Sequence, residues 1–252
     1  MQVLILYLLI WFTGGCFGSF LMVVGLRVPI HQSIVFPRSH CSTCHRTLRF
    51  YELIPILSYL IQKGRCRNCQ QRISILHPLA EALTGFIFLY TFHTYLFFPK
   101  EGLFIIGFIS FGIIFIISDI YYQLLPDRLI LFFFLWVFLG RLVIHPFPFS
   151  IYLFSGFGFF SFFYLLYQFS STPIGGGDIK LFGIIGLLLG YDLTLVAIMI
   201  ACLSALLFSF PLLVSKRITS KHPIPFAPFI FFGTILTYFS QDIVTTWFML
   251  GN

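Results

Sequence analysis

Two groups of residues in this chain have types and spacing that could do chemistry. The first is Gly175-Gly176-Gly177-Asp178-Ile179-Lys180, three glycines and an acid set in otherwise apolar sequence. A carboxylate is costly at a membrane boundary, so Asp178 is read as a functional-site candidate. A second acid, Asp119, closes the apolar run Phe115-Ile116-Ile117-Ser118. Two carboxyl groups that meet share a proton, because both cannot cheaply ionise together. Such a pair can hydrolyse a peptide bond without metal or nucleophile. One carboxylate activates water and the other, as the acid, protonates the leaving group. Taken singly, each has a plainer reading, Asp119 as the end of a span and Asp178 as a helix N-cap. Asp127, after Pro126, is expected to cap the next helix and is held as the reserve acid.

The expected helix ends suggest roles. Asp178 at a helix N-terminus is favoured as the ionised base, and Asp119 at a C-terminus as the neutral acid. Gly175, Gly176 and Gly177 are expected to let bare backbone approach an extended substrate segment. Lys180 belongs to the same supporting stretch.

The second group is Cys41-Ser42-Thr43-Cys44 and Cys66-Arg67-Asn68-Cys69, two CxxC pairs separated by 21 residues. Four thiolates in two tight turns match a closed structural zinc site, with no open position for a reacting water. Disulfides and a redox CxxC are the competing readings, and a reducing compartment disfavours the first. His40 and His45 flank the first pair as possible substitute ligands. Cys16 and Cys202 lie inside apolar segments and are expected to be small core residues.

These residues must be positioned by membrane helices. The chain is 59% hydrophobic and 9% charged over 252 residues, with a mean hydropathy of +0.98. That composition excludes a soluble domain and gives an all-α polytopic membrane protein. Eight segments fit the length of a span: 1 to 26, 79 to 98, 102 to 118, 129 to 144, 150 to 169, 179 to 190, 193 to 214 and 226 to 249. The sixth is short and Gly-rich. No basic residue precedes Arg27, so residues 1 to 26 read as a retained helix and not as a cleavable signal. Gly14, Gly18 and Gly25 suit close helix packing.

With the N-terminus outside, thirteen of the fifteen Lys and Arg residues fall inside. Lys100 and a snorkelling Arg141 are the exceptions. The net charge of +7 thus reports orientation and contact with anionic lipid, and no nucleic acid partner is expected. Asp119 and Asp178 then share the cytoplasmic edge. Three parts are expected: the first helix at 1–26, a small cytoplasmic zinc-ribbon-like loop domain carrying the four cysteines at 27–78, and a seven-helix membrane domain at 79–252. The loop is too small to bury a core alone, and metal would supply the missing stability. Residues 52–60, Glu52 to Leu60, are expected to form a helix against the membrane face.

In these residues the chain resembles the prepilin peptidase family, also called type IV leader peptidases, within the GxGD intramembrane aspartic proteases. The resemblance covers nearly the whole chain. It rests on Gly18-Ser19-Phe20-Leu21 with Arg27 and Pro29, the doubled CxxC, Leu53 to Leu60, Gly64-Arg65-Cys66, and Pro78 with Glu81. It continues through Asp119 to Leu124-Leu125-Pro126-Asp127, Gly175 to Leu181, and Ile224-Pro225-Phe226-Ala227-Pro228. Met22 and Ala227 depart from the usual family residues.

The resemblance implies that Asp119 and Asp178 are catalytic. It implies cleavage of prepilin-like or pseudopilin substrates at the cytoplasmic face of the bacterial cell membrane, after the Gly that ends a short basic leader. Such substrates serve type IV pili, secretion or competence. It further implies methylation of the new N-terminus from S-adenosylmethionine, associated with the Cys-bearing loop. Glu81, which could pair with Arg72, is the cofactor-binding candidate that the resemblance suggests. The alternatives are a peptidase without methylation, an ion-coupled transporter, and a non-catalytic zinc-ribbon adaptor. Internal symmetry and midplane acids would mark the transporter.

Overall fold

A computed structural model describes residues 2–144, 148–169, 175–215 and 224–241. Its elements are helices: α1 Gln2–Arg27, α2 Leu57–Ile61, α3 Leu76–Tyr95, α4 Pro99–Tyr122, α5 Asp127–Val143, α6 Phe149–Phe169, α7 Gly176–Leu189, α8 Tyr191–Val214 and α9 Ala227–Phe239. Among the described residues there is no strand, only two isolated bridges in the Cys-bearing loop. The chain is an all-helical membrane protein. Among the described residues, four segments are long and apolar enough to cross a membrane: Val3–Ile30, Pro99–Tyr122, Phe149–Phe169 and Tyr191–Val214. The other expected spans coincide with α3, α5, α7 and α9. Of these, α7 has 14 residues and rises only about 21 Å. Lys216, Arg217, Lys221 and the last part of the eighth expected span lie outside the described residues.

Two compact units divide the chain, residues 1–117 and 118–252. In the first, α1 and α3 run antiparallel. Tyr7 pairs with His93 at 3.0 Å near one end, and Gly18 meets Ala80 and Thr84 towards the other. The glycines allow this approach. A Cβ on Gly14 would fall 2.9 Å from the Gly85 backbone, and one on Gly18 would fall 2.8 Å from the Thr84 side chain. Gly25 is pressed equally hard against Ile117.

In the second unit α7 is the central helix, buried at Ile179, at Leu181 and Phe182, and continuously from Ile184 to Leu189. It packs on α6 where Gly156, Gly183 and Gly186 remove the side chains between the two backbones. Arg141 is not a snorkelling residue. It is buried, its Nε donates to the Leu188 carbonyl at 2.7 Å, and its guanidinium lies 4.7 Å from the centre of the Tyr152 ring. The C-terminal carbonyls of α7 need donors, and Arg141 supplies one.

Two further expectations are corrected. Cys16 and Cys202 are exposed on their helices, since an apolar solvent lets small apolar residues face outward. Residues 52–60 do not form one helix. A short 3-10 turn covers Phe50–Glu52, and α2 begins only at Leu57. Pro55 and the left-handed Ile56, at φ 60°, keep them apart.

Candidate active site

Both acids lie in the second unit. Asp119 is buried near the end of α4 and Asp178 lies in the first turn of α7. The Asp178 carboxyl is within electrostatic reach of Asp119. Asp178 is not the helix cap. Gly175 holds that position, and the Asp178 N–H donates to the Gly175 carbonyl at 3.0 Å.

The three glycines have different surroundings. A Cβ on Gly177 would fall 2.8 Å from Leu125, and one on Gly175 would fall 2.9 Å from Oδ2 of Asp178. Gly176 opens onto free space. The close approach at Gly177 is therefore to this chain's own loop between α4 and α5. That loop is braced by the Ser118 hydroxyl donating to the Leu124 carbonyl.

Lys180 follows Asp178 by two residues, about 200° around the helix, and so faces elsewhere. Its Nζ pairs with Asp127 at 2.5 Å, both side chains being well exposed. Asp127 is the first residue of α5, after a Pro126 cap, and its carboxylate ties α5 to α7.

One feature of the site was not read from the sequence. The N–H of Ala227 donates to Oδ2 of Asp119 at 2.8 Å, and the Phe226 N–H also bonds to this carboxyl. These are unpaired amides at the start of α9, where Pro228 has no N–H to offer. The signal was present as Pro225-Phe226-Ala227-Pro228, two prolines bracketing a helix start.

In the first unit the four cysteines converge. Their sulfur atoms all lie within 4.8 Å of one another, with Cys41 to Cys69 at 3.7 Å and Cys44 to Cys66 at 4.0 Å. A tetrahedron of thiolates around one zinc has sulfurs about 3.8 Å apart, from a metal–sulfur distance of about 2.3 Å.

The two turns repeat each other. Cys41 accepts from the His45 N–H and donates to the Arg46 carbonyl, while Cys66 accepts from Gln70 and donates to Gln71. His45 and Gln70 both take positive φ, at 54° and 58°. The backbone N–H of Arg46 and the Asn68 side chain hold the Cys44 thiol down at about 6. The backbone N–H groups of Cys69 and Asn68 likewise lower Cys66. The cluster could hold a metal ion, and its geometry fits one. The described ligand group contains the four cysteines without His40 or His45.

Glu81 is buried in α3 and does not pair with Arg72. Its Oε2 accepts the Ile56 N–H at 2.7 Å, and the Ser19 side chain bonds to the same carboxyl.

Family comparisons bear on both halves of the chain. Residues 12–95 match the model for the bacterial peptidase A24 N-terminal domain, and residues 105–210 match the type IV leader peptidase family. A Bacillus subtilis protein named prepilin leader peptidase/N-methyltransferase is 36% identical over 240 residues, covering 94% of this chain and 95% of that protein. An Aeromonas salmonicida protein of the same name is 28% identical over 270 residues, covering 92% and 90%. One from Legionella pneumophila is 28% identical over 228 residues, covering 87% and 78%. No solved structure matches. The class is thus a polytopic membrane protein with an acid pair in one unit and a four-cysteine cluster in the other. The chain belongs to the type IV leader peptidase family.

Proposed function

We propose that this protein is a membrane-embedded aspartic endopeptidase that removes the short basic leader of prepilin-like proteins after Gly and then methylates the new N-terminus. The observation that carries the reading is that Asp119 and Asp178 lie in one unit within electrostatic reach of each other, with backbone amides aimed at one of them. Asp119, held by the Ala227 and Phe226 N–H groups, is the ionised base that takes a proton from water. Asp178 carries the shared proton and gives it to the leaving amine. Gly175 and Gly177 allow the close approaches that seat Asp178 against the loop between α4 and α5, and Gly176 leaves the approach open for substrate backbone. Lys180 supports the site indirectly, through its tie to Asp127.

The four-cysteine cluster takes a structural zinc held by Cys41, Cys44, Cys66 and Cys69. When bound, the metal supplies folding energy to a loop that has little core of its own. The relatives' names support methylation, and in this reading its methyl group comes from S-adenosylmethionine. Glu81 accepts the Ile56 N–H and bonds to Ser19, and in this reading it holds the cysteine-bearing domain to α3. The working orientation has the N-terminus outside, with the cysteine-bearing domain and both aspartates at the cytoplasmic side.

The test is mass spectrometry of a prepilin-like substrate co-expressed with the intact chain. Loss of the leader with one added methyl is expected. Loss of the leader alone would leave a peptidase without methylation. Ion-driven solute uptake with no cleavage of any candidate substrate would replace the reading with a transporter.

A further inference from the structure

Pro55 and Ile56 lie much deeper along α1 than a loop outside the membrane would. Pro55 packs against Gly15, where an added Cβ would sit 3.4 Å from the Pro55 side chain and 3.6 Å from the Glu81 carbonyl. Gly15 is twelve residues, or about 18 Å, before Arg27, the first charged residue of the chain. A bilayer core takes about 20 residues of helix, and any such window within residues 3–26 leaves Gly15 at least about 10 Å inside it. Pro55 and Ile56 therefore share the depth of a lipid-embedded part of α1.

The local chemistry suits that depth. Backbone groups in hydrocarbon must be paired, and much of this segment's backbone is. Ser58 donates to Ile54, Leu60 to Ile56, Gln62 to Ser58 and Gly64 to Tyr59, while the Ile56 N–H is met by Glu81. An acid inside a span needs a partner, and Glu81 finds it in this amide and in Ser19. Leu57, Leu60 and Ile61, at i, i+3 and i+4 of α2, form one outward face that is 50%, 65% and 60% exposed. Arg49 and Lys63 flank the segment in sequence, where long cationic side chains can reach phospholipid headgroups.

We propose that residues 53–61 form a re-entrant wedge entering the bilayer from the side of the cysteine cluster, with the Leu57–Leu60–Ile61 face against phospholipid acyl chains. Glu81 is the clamp that holds the wedge to α3. The cysteine-bearing domain is then anchored at three places, by α1, by α3 and by the wedge, and this fixes its height above the membrane. The inference stands on geometry within residues 1–117 and does not depend on which reaction the second unit performs.

The test uses the full chain in nanodiscs made with a phospholipid carrying a diazirine midway along one acyl chain. After illumination, the tryptic peptide of residues 50–63 is expected to carry the lipid adduct within about threefold of Leu4 to Leu9 on α1, and at least about tenfold above residues 39–46. In Glu81→Leu the adduct on residues 50–63 is expected to fall, whereas Glu81→Gln, which keeps an acceptor, retains it. Labelling of α1 in the wild type without labelling of residues 50–63 would overturn the proposal. Adduct that disappears when a prepilin-like substrate is added, with α1 unchanged, would assign the face to a protein partner and would equally overturn it.

Discussion

At the scale of the residue, the glycines before Asp178 divide by what surrounds them. Gly177→Ala drives a Cβ into Leu125, an overlap expected to cost about 1–3 kcal/mol, whereas Gly176→Ala points into open space and is expected to leave stability unchanged. Melting temperatures of the two variants in one detergent check the contrast. Sequence pattern singled out all three glycines because they sit beside an acid, but it could not rank them. The ranking comes from the loop between α4 and α5, which reaches Gly177 only in the fold. The amides of Phe226 and Ala227 are a similar case. Backbone donors have no letter in the sequence, and only the two prolines around them hinted at a helix start.

At the scale of the element, the two cysteine turns and the packing of α1 on α3 each have a clear sensitivity. If the cysteines hold the proposed zinc, a chelator, like Cys44→Ser, is expected to unfold the loop domain while leaving the helices formed. Protease sensitivity confined to residues 31–75, read by mass spectrometry, checks this. Glu52 provides a pH test. Burial pushes its carboxyl up, but the Arg49 N–H and the Arg46 guanidinium outweigh that and leave its pKa below the ordinary carboxylate value.

A lowered folded pKa gives stability that is present above the unfolded value and lost as pH falls through the folded one. Glu52→Gln is therefore expected to be less resistant to urea than wild type at neutral pH, with the gap closing under acid conditions. A gap independent of pH would contradict the assignment. Gly18→Leu is expected to disrupt the α1–α3 pair, because Ala80 and Thr84 leave no room for a side chain. The spacing of Gly14, Gly18 and Gly25 suggested close packing of α1 but not its partners, which are α3 for Gly14 and Gly18 and Ile117 for Gly25. The break at Pro55 and Ile56 was less legible, since an apolar run from Leu53 to Leu60 reads as one helix until the left-handed Ile56 divides it.

For the whole molecule, composition alone gave the class, because 59% hydrophobic residues cannot be hidden in a soluble fold of this length. The doubled CxxC was legible because metal spacing is local, and the fold brings all four sulfurs within 4.8 Å. The acid pair was harder, since 58 residues separate Asp119 from Asp178, and it emerged only from following the helices back and forth across the membrane. Arg141 was misplaced because counting charges by topology does not show which cations cap a buried helix.

The central claim is that these two carboxyls perform the cleavage. Its most direct test is leader removal, measured by mass spectrometry on a prepilin-like substrate, for wild type, Asp119→Asn and Asp178→Asn at matched protein levels and melting temperatures. Each variant alone is expected to lose at least about a thousandfold of the rate, as groups that act as a unit do. Substantial cleavage by either correctly folded variant would contradict it.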